Sequence, residues 1–220
     1  MVQMQEKLSA HTLPLMEDFY TIQGEGSYQG FAAYFIRLGG CDVGCVWCDV
    51  KESWDASSHP LVSVEEMARR AQQSGTQIVV ITGGEPLTYD LSMLTSAIKD
   101  KGLRTHIETS GVYPMSGLWD WVCFSPKKFK PPHPSVFSVA DELKVIVYNK
   151  QDLEWGSEFA RQVRPGCQLF FQPEWSKEAE MLPLIISYEK KLTSRPYLPR
   201  EFASPLQVLL VVNNNLQFIR

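Results

Sequence analysis

Three cysteines within eight residues are the feature of this sequence best suited to chemistry. Cys41, Cys45 and Cys48 form a C-x3-C-x2-C pattern. Thiolates this close in sequence can converge on one metal centre, and soft sulfur ligands favour zinc, copper(I) or iron–sulfur clusters. A structural zinc site takes four protein ligands, commonly as two short pairs, whereas these three cysteines have no second pair. We therefore expect a 4Fe-4S cluster, with structural zinc as the alternative.

A cluster held by three cysteines leaves one iron without a protein sulfur. Such an open coordination position is what metal-ion catalysis requires. A disulfide fits less well, because the five cysteines are odd in number and the sequence begins without the basic start and apolar block of a secretion signal. We therefore expect reduced cysteines in a cytoplasmic protein. The other two cysteines, Cys123 and Cys167, stand alone in the sequence.

The composition is that of an ordinary globular protein. The chain has 220 residues, of which 44% are hydrophobic and 21% charged, and its net charge is −4. This length supports one good core, so we expect a single domain over residues 1–220, with a loose lead-in at 1–15. The charge gives no indication of a nucleic-acid surface, and no apolar run approaches the length of a membrane span. The composition therefore predicts neither a nucleic-acid nor a membrane partner.

Strand-like and helix-like segments alternate along most of the chain. Apolar, β-branched and aromatic runs predict strands at 32–38, 77–81, 104–107, 121–124, 143–147, 168–171 and 208–212. Amphipathic periodicity predicts helices at 63–74, 91–101, 151–162 and 178–191. This alternation is typical of parallel βα units with right-handed crossovers. About six such units are too few for a closed eight-stranded barrel. We therefore expect an α/β fold that forms a partial, open TIM-like barrel.

Polar segments directly follow the predicted strands. They are the cysteine loop and residues 82–85, 108–110, 125–127 and 172–174. In a barrel of βα units the active site is built from the loops at the carboxyl ends of the strands. We therefore expect these segments to meet at one site.

Two of these segments resemble the motifs of one enzyme superfamily. Cys41-x3-Cys45-x-Trp47-Cys48 is similar to the cluster motif of radical S-adenosylmethionine (SAM) enzymes, and Gly83-Gly84-Glu85-Pro86 is similar to their second motif, which contacts the methionine end of the cofactor. Further segments narrow the resemblance to the 7-carboxy-7-deazaguanine synthase family, over roughly residues 16–175. They are FYTIQGEG at 19–26, FIR at 35–37, CD at 48–49, IETSG at 107–111, SPK at 125–127, ELKV at 142–145 and QP at 172–173.

The resemblance implies a reaction in the biosynthesis of queuosine and other deazapurines. It implies that 6-carboxy-5,6,7,8-tetrahydropterin becomes 7-carboxy-7-deazaguanine with loss of ammonia. In the family, a 4Fe-4S cluster reduces SAM, and the 5′-deoxyadenosyl radical that is released takes a hydrogen atom from carbon 6 of the pterin. The amino and carboxylate groups of SAM chelate the iron that lacks a cysteine. The protein supplies position and charge, while the cofactor carries the radical chemistry.

The resemblance also implies roles for matching residues. The three cysteines of the loop are the expected cluster ligands. The residues expected at the SAM site are Trp47, Cys48, Asp49, Gly84, Glu108, Ser125, Pro126, Lys127, Gln172 and Glu174. Those expected to hold the pterin are Ile22, Gln23, Gly24, Glu25, Arg37 and Thr82. The guanidinium of Arg37 suits a substrate carboxylate, because it can donate two parallel hydrogen bonds. For Glu108 and Gln172, helix or strand capping is the structural alternative.

Two positions depart from the family pattern. The family usually has threonine after Cys-Asp, where its hydroxyl helps to bind Mg²⁺. This chain has Val50, which has no oxygen and cannot ligate a hard cation. The family also usually ends in a Gln-Thr-His-Lys segment and a short tail, and the C-terminal carboxylate of that tail reaches the substrate. Residues 193–220 here contain no histidine. We therefore expect a divergent tail, and a Mg²⁺ that relies on substrate and water oxygens.

The resemblance implies a homodimer and an electron donor such as flavodoxin. Two other functions stay open on the sequence alone. One is a radical SAM activating enzyme that makes a glycyl radical on a partner protein. The other is a non-catalytic binding module with structural zinc, which predicts that residues 83–86 lie far from the cysteines.

Overall fold

The computed structural model describes residues 11–193 and 207–208. Its strands are β1 Thr12–Ile22, β2 Ala32–Leu38, β3 Leu61–Ser63, β4 Ile78–Gly83, β5 Arg104–Thr109, β6 Trp121–Phe124, β7 Glu142–Val147, β8 Gln168–Pro173 and β9 Gln207–Val208. Its α-helices are α1 Val64–Gln73, α2 Ser92–Lys99, α3 Gln151–Ala160 and α4 Glu178–Thr193. The four predicted helices and the predicted strands from 32 to 171 are confirmed, with ends that differ by a few residues.

The nine strands form one sheet in the order β3-β1-β2-β4-β5-β6-β7-β8-β9. The strands from β2 to β9 run parallel, whereas β1 is antiparallel to β2 and β3 is antiparallel to β1. Within the described part of the chain, β3 and β9 are the two edges, so the sheet is open. The predicted partial barrel is therefore confirmed.

The antiparallel edge differs from the sequence prediction. The lead-in predicted at 1–15 is wrong for Thr12 to Leu15, which are the first residues of β1. The short strand β3 was not predicted either. Both strands are stabilised by backbone pairing with distant residues, such as Leu15 with Leu38 and Leu13 with Val62. No local pattern indicates such pairing in so short or irregular a strand.

Two crossovers also differ from strict βα alternation. The connection from β5 to β6 contains no α-helix, and the connection from β6 to β7 contains only the short 3-10 helix Pro134–Val136. The first connection has Pro114 between two glycines with positive φ, Gly111 and Gly117. The second is rich in proline, which cannot donate a helical hydrogen bond and fixes φ.

The α-helices cover one face of the sheet. Helices α1 and α2 pack on alternate residues of the first strands, such as Ile36, Ile81 and Ile107, which are fully buried. Helices α3 and α4 pack on alternate residues of β7 and β8, such as Val145 and Phe171. Because side chains alternate along a strand, the residues between them face the inside of the half-barrel. That inner face carries the polar residues of the candidate site.

Parts of the predicted ends lie outside the described residues. These are residues 1–10 of the predicted lead-in, residues 209–212 of the predicted last strand, and the tail residues 194–206 and 209–220. Val208 is the one described residue of that predicted strand. It belongs to β9, whose residues Gln207 and Val208 pair with Phe170 and Phe171 of β8. None of the described helices is long and apolar enough to cross a membrane.

Candidate active site

The cysteine loop follows β2 directly and is held by backbone hydrogen bonds at its base. Gly40 N donates to Ser53 O at 2.6 Å, and Cys41 N donates to Trp54 O at 3.1 Å. The thiols of Cys41, Cys45 and Cys48 are free and partly exposed. Burial raises the pKa of the Cys41 and Cys45 thiols, while the positive charge of Lys127 opposes that rise at Cys45. The loop therefore presents three reduced sulfurs next to a cation.

The glycine motif after β4 lies in contact with the base of this loop. Gly84 N donates to Leu38 O at 3.0 Å, and Glu85 N donates to Gly40 O at 2.9 Å. A Cβ atom on Gly84 would lie 2.2 Å from Gly40 O and 2.7 Å from the Cβ of Cys41. The expectation from the zinc-module alternative, that residues 83–86 lie far from the cysteines, is therefore wrong.

Three cysteine thiols are a donor set that fits a 4Fe-4S cluster. Across the described residues, no group of three or more His, Cys, Asp or Glu side chains is arranged to hold one metal ion. In a 4Fe-4S cluster each cysteine binds a different iron, so the three sulfurs need not converge on one point. Three free thiols on one exposed loop fit that requirement.

A buried carboxylate fixes the glycine motif to the end of β5. Glu85 is 2% exposed, and its Oε1 accepts hydrogen bonds from Thr109 Oγ1 at 2.6 Å and Leu87 N at 3.1 Å. Its Oε2 accepts from Ser110 N at 2.8 Å and from Ser110 Oγ. A buried carboxylate with four donors is well satisfied, which gives the Gly-Gly-Glu-Pro turn a fixed position.

A lysine between two carboxylates lies on the inner face of the half-barrel. Lys144 Nζ is 2.7 Å from Glu25 Oε2 and 2.7 Å from Glu108 Oε2. Burial acts to lower the pKa of Lys144, but Glu108 and Glu25 outweigh it and hold that pKa well above its usual value. Burial likewise acts to raise the pKa of Glu25, but Lys144 and Gln172 hold it below its usual value. Lys144 and Glu25 are therefore both charged at neutral pH.

Two amides complete this ionic group. Gln172 Nε2 donates to Glu25 Oε1 at 3.0 Å, and Gln23 Nε2 lies 3.4 Å from Glu108 Oε1. Gln172 Oε1 is buried and has no hydrogen-bond partner among the described residues. The structure therefore brings together Gln23, Glu25, Glu108 and Gln172, which the sequence placed in two different binding sites.

The loop between β1 and β2 reaches this inner face because of a glycine. Gly26 has φ 68°, and a Cβ there would lie 2.2 Å from Glu142 Oε1. The close approach allows Ser27 N to donate to Glu142 Oε2 at 3.0 Å, and Ser27 Oγ to donate to Gln168 Oε1 at 2.7 Å. The Gln-Gly-Glu-Gly segment is therefore a packed wall of the site and not a plain surface turn.

Arg37 and Thr82 are neighbours on the parallel strands β2 and β4. The Nε of Arg37 is 2.8 Å from Glu17 Oε1, and the Arg37 side chain is 18% exposed. Glu17 thus orients the guanidinium through one nitrogen, and the pair lies at the carboxyl end of β2. The role of Arg37 in binding the substrate carboxylate stays a prediction.

Aromatic side chains hold the far end of the cysteine loop. Trp47 stacks on Tyr148, with ring centroids 5.7 Å apart and 9° between the planes, and contacts Phe129 at 4.9 Å. Trp47 and Pro126 also line a small cavity that extends to Trp155. Next to it, Lys127 Nζ donates to Ser125 O at 2.9 Å and to Ser125 Oγ at 2.5 Å. The predicted SAM residues 125–127 and Trp47 therefore share one side of the site.

A polar bridge ties the cysteine loop to the proline-rich segment. Tyr113 Oη donates to Asp42 Oδ2 at 2.5 Å, and Lys130 Nζ lies 2.6 Å from the same oxygen. These hydrogen bonds lower the pKa of Asp42. The sequence analysis did not identify this bridge, because the three residues are far apart along the chain.

Other predicted residues lie at the margin of these groups. Glu174 caps the 3-10 helix Trp175–Lys177, where its Oε2 accepts from Ser176 N at 3.2 Å. Asp49 is exposed, and the carbonyl of Val50 accepts from Ser53 N at 3.1 Å. Ile22 is 55% exposed, and nothing lies within 4 Å of a Cβ built on Gly24.

One residue at the centre of the site was not predicted to be functional. Lys144 lies in the ELKV segment at 142–145, and the sequence analysis gives it no role of its own. A lysine in an otherwise apolar, central strand is the signal that could have identified it, because buried lysines are normally paired.

Comparison with known proteins gives consistent matches. The Radical SAM superfamily model matches residues 35–154. A 7-carboxy-7-deazaguanine synthase from Flavobacterium psychrophilum is 56% identical over 176 residues, which cover 80% of this chain and 83% of the relative. One from Synechocystis is 48% identical over 166 residues, covering 76% and 80%. The crystal structure of QueE from Escherichia coli has a TM-score of 0.74 at 30% identity, and the match covers 84% of this chain and 92% of that one.

Proposed function

The chain belongs to the 7-carboxy-7-deazaguanine synthase family of the radical SAM superfamily, and we propose that it converts 6-carboxy-5,6,7,8-tetrahydropterin into 7-carboxy-7-deazaguanine with loss of ammonia. The observation that carries this proposal is the contact between Gly84 and the base of the cysteine loop. It joins the two superfamily motifs in one site, next to a group of carboxylates and amides suited to a nitrogen-rich heterocycle.

The residues of the loop would hold the cofactors in defined positions. Cys41, Cys45 and Cys48 would ligate a 4Fe-4S cluster, which together with SAM supplies the radical that begins the reaction. The Gly84 backbone and Lys127 lie beside the cysteines, where they would position SAM. Trp47, stacked on Tyr148, would exclude water from that side of the site.

The inner face would bind the pterin. Ionised carboxylates accept hydrogen bonds and do not donate them, so Glu25 and Glu108 suit the N–H groups of the pterin's amide and amine edge. Arg37, oriented by Glu17, would bind the substrate carboxylate. The remaining residues expected at the pterin, Ile22, Gly24 and Thr82, would border this space.

Magnesium would be held mainly by the ligands themselves. Val50 supplies no side-chain oxygen, and its carbonyl accepts hydrogen bonds from Ser53 N and Ser53 Oγ. A Mg²⁺ ion near this position would therefore take oxygens from the substrate and water, which suits its preference for retaining waters.

The assembly and surroundings of the protein are part of the same proposal. A homodimer and an electron donor such as flavodoxin accord with the family. A cytoplasmic location accords with the five cysteines, none of which forms a disulfide.

Anaerobic reconstitution tests the proposed function. The reconstituted protein should bind about four irons, show brown cluster absorbance, and cleave SAM when reduced. With the carboxy-tetrahydropterin it should release 7-carboxy-7-deazaguanine and ammonia in equal amounts. Replacing Cys45 by Ala should remove the cluster, whereas Cys167→Ala should retain it. One tightly held zinc without iron would contradict the proposal, and so would SAM cleavage that never yields the deazaguanine product.

A further inference from the structure

We propose that Lys144 is a positioning residue that keeps Glu25 and Glu108 ionised and aligned as hydrogen-bond acceptors for the pterin. This inference rests on the proposed function. It adds the reason why the site binds the pterin edge that carries several N–H donors. It assigns a role to a residue that contacts the substrate only through its two partners.

The geometry places one cation between two acceptors from different elements. Lys144 lies on β7 and its side chain is 10% exposed. Glu25 comes from the loop after β1 and Glu108 from β5, and each carboxylate directs its Oε2 to the same Nζ at 2.7 Å. Because the lysine connects a loop to two strands, it determines how the two carboxylates lie relative to each other.

The other charged groups around Lys144 make its charge necessary. Glu142 lies below it on the same strand, and burial raises the pKa of that carboxyl group. From β6, the buried thiol of Cys123 faces the group, and Lys127 adds one positive charge from the segment that follows β6. Without Lys144, two partly buried carboxylates, each now 2.7 Å from the same Nζ, would face each other, and such like charges disfavour the ionised form of both groups.

Ionisation of the carboxylates decides what they can bind. An ionised carboxylate only accepts hydrogen bonds, whereas a protonated one also presents an O–H donor. The Oε1 atom of each carboxylate, which does not contact Lys144, is oriented by an amide: Glu25 Oε1 by Gln172 and Glu108 Oε1 by Gln23. The unpartnered, buried Oε1 of Gln172 is a third acceptor at the same place. The group as a whole is therefore built to receive N–H donors, which the amide and amine edge of a pterin provides.

A pH series on Lys144 variants tests this role. The holoenzyme with SAM is assayed from about pH 6.5 to about pH 9, and KM is separated from kcat. In Lys144→Met one carboxylate holds a proton at neutral pH, so we expect KM to rise about 10- to 100-fold at pH 7, the value of one lost hydrogen bond to a charged group. KM should then fall as the pH rises and that proton is lost.

Two variants serve as comparisons. Lys144→Arg keeps the charge, so its KM should vary with pH no more than that of the wild type. Lys99→Met removes a lysine from the partly exposed Asp120 pair outside the site and should leave KM unchanged. The Kd of 7-carboxy-7-deazaguanine, measured by calorimetry without turnover, should follow the KM of each variant.

The outcomes separate this inference from the proposed function. A Lys144→Met KM that stays near the wild-type value, or rises by one constant factor at every pH, overturns the role of Lys144. If Lys144→Met does not fold, Lys144→Gln, which is neutral but retains a donor, should show the same pH dependence. If the wild-type enzyme turns over the pterin but the KM values of Lys144→Met and Lys144→Gln do not fall with rising pH, only the inference about Lys144 is contradicted. A wild-type enzyme that never turns over the pterin contradicts the proposed function.

Discussion

Gly84 and Cys41 lie so close together that no side chain fits between them. A Cβ on Gly84 would be 2.7 Å from the Cβ of Cys41 and 2.2 Å from the preceding carbonyl oxygen. Both neighbours belong to a backbone held at its base by Ser53 and Trp54, so they cannot easily move. The position of the cysteine loop therefore requires a residue without a side chain at position 84, in the turn that follows β4.

Gly84→Ala should displace the cysteine loop. The added methyl group meets backbone and not a flexible side chain, so the loop must shift to accommodate it. We expect a loss of SAM cleavage of at least about tenfold, since a small misplacement of reacting groups has a large effect on rate. Iron content and SAM cleavage after reconstitution measure this. Gly166→Ala is the comparison: its φ of 85° makes a side chain there cost some stability, but nothing lies within 4 Å of its Cβ, and it should keep wild-type iron content. Wild-type SAM cleavage by Gly84→Ala would contradict the prediction.

Glu85→Gln should destabilise the fold. Each carboxylate oxygen accepts a backbone N–H and a hydroxyl, so an amide NH₂ in either orientation would face a backbone donor. We expect a loss of about 3 kcal/mol in the free energy of unfolding. Chemical denaturation of the cluster-free protein measures it. Asp90→Asn removes an exposed carboxylate that accepts from Ser92 N at 2.9 Å, and should cost less than about 1 kcal/mol. Equal losses in the two variants would argue against a special role for Glu85.

His106 should make the fold less stable in mild acid. It is 4% exposed, and burial together with Arg104 lowers its pKa to about 4. An unfolded chain has a histidine pKa of about 6.5, so between these values the unfolded state binds more protons. Stability should therefore fall as the pH drops from about 6.5 to about 4, by up to about 3 kcal/mol.

The variant His106→Phe isolates this effect. Phenylalanine keeps a ring against Tyr28, whose centroid is 4.5 Å from that of His106, but it does not titrate. Denaturation of the cluster-free proteins from pH 7 to pH 4 gives the difference in unfolding free energy between wild type and variant. That difference should move in favour of the variant as the pH falls. A difference that is constant across this range would contradict the prediction.

Val50→Thr should increase the response to magnesium. Threonine has nearly the shape of valine and adds the hydroxyl oxygen that a hard cation requires. We expect the variant to reach half-maximal turnover at a lower Mg²⁺ concentration than the wild type, with little change in SAM cleavage. Turnover of the pterin across a Mg²⁺ series measures this, with Val46→Thr, an exposed valine of the same loop, as the control. Identical Mg²⁺ responses of Val50→Thr and wild type would show that position 50 does not contact the ion.

The regular elements of the sheet could be predicted because their signals are local. The strand at 32–38 and the helix at 63–74 follow from the types and periodicity of their side chains. In the structure Ser63 Oγ caps that helix by accepting from Glu66 N at 3.2 Å. The strands β1 and β3 could not be predicted in the same way. Their positions depend on pairing across the sheet, which involves residues far apart in the chain.

In the candidate site, too, local features could be predicted from the sequence and contacts between distant residues could not. The spacing of Cys41, Cys45 and Cys48 predicted a 4Fe-4S cluster, with structural zinc as the alternative, because the three cysteines lie in one short loop. The sequence also determined the family, through short motifs whose residues are contiguous. It could not determine what each motif touches, because contacts between motifs depend on strand register.

Only the tertiary structure decided how the motifs combine. In that structure Gly84 lies against the cysteine loop, and Glu174 caps a 3-10 helix at the margin of the site. It also brought Glu25, Glu108 and Lys144 from three separate elements to one point. The pKa shifts of Lys144 and Glu25 follow from mutual distance and burial, and neither quantity exists until the half-barrel has formed.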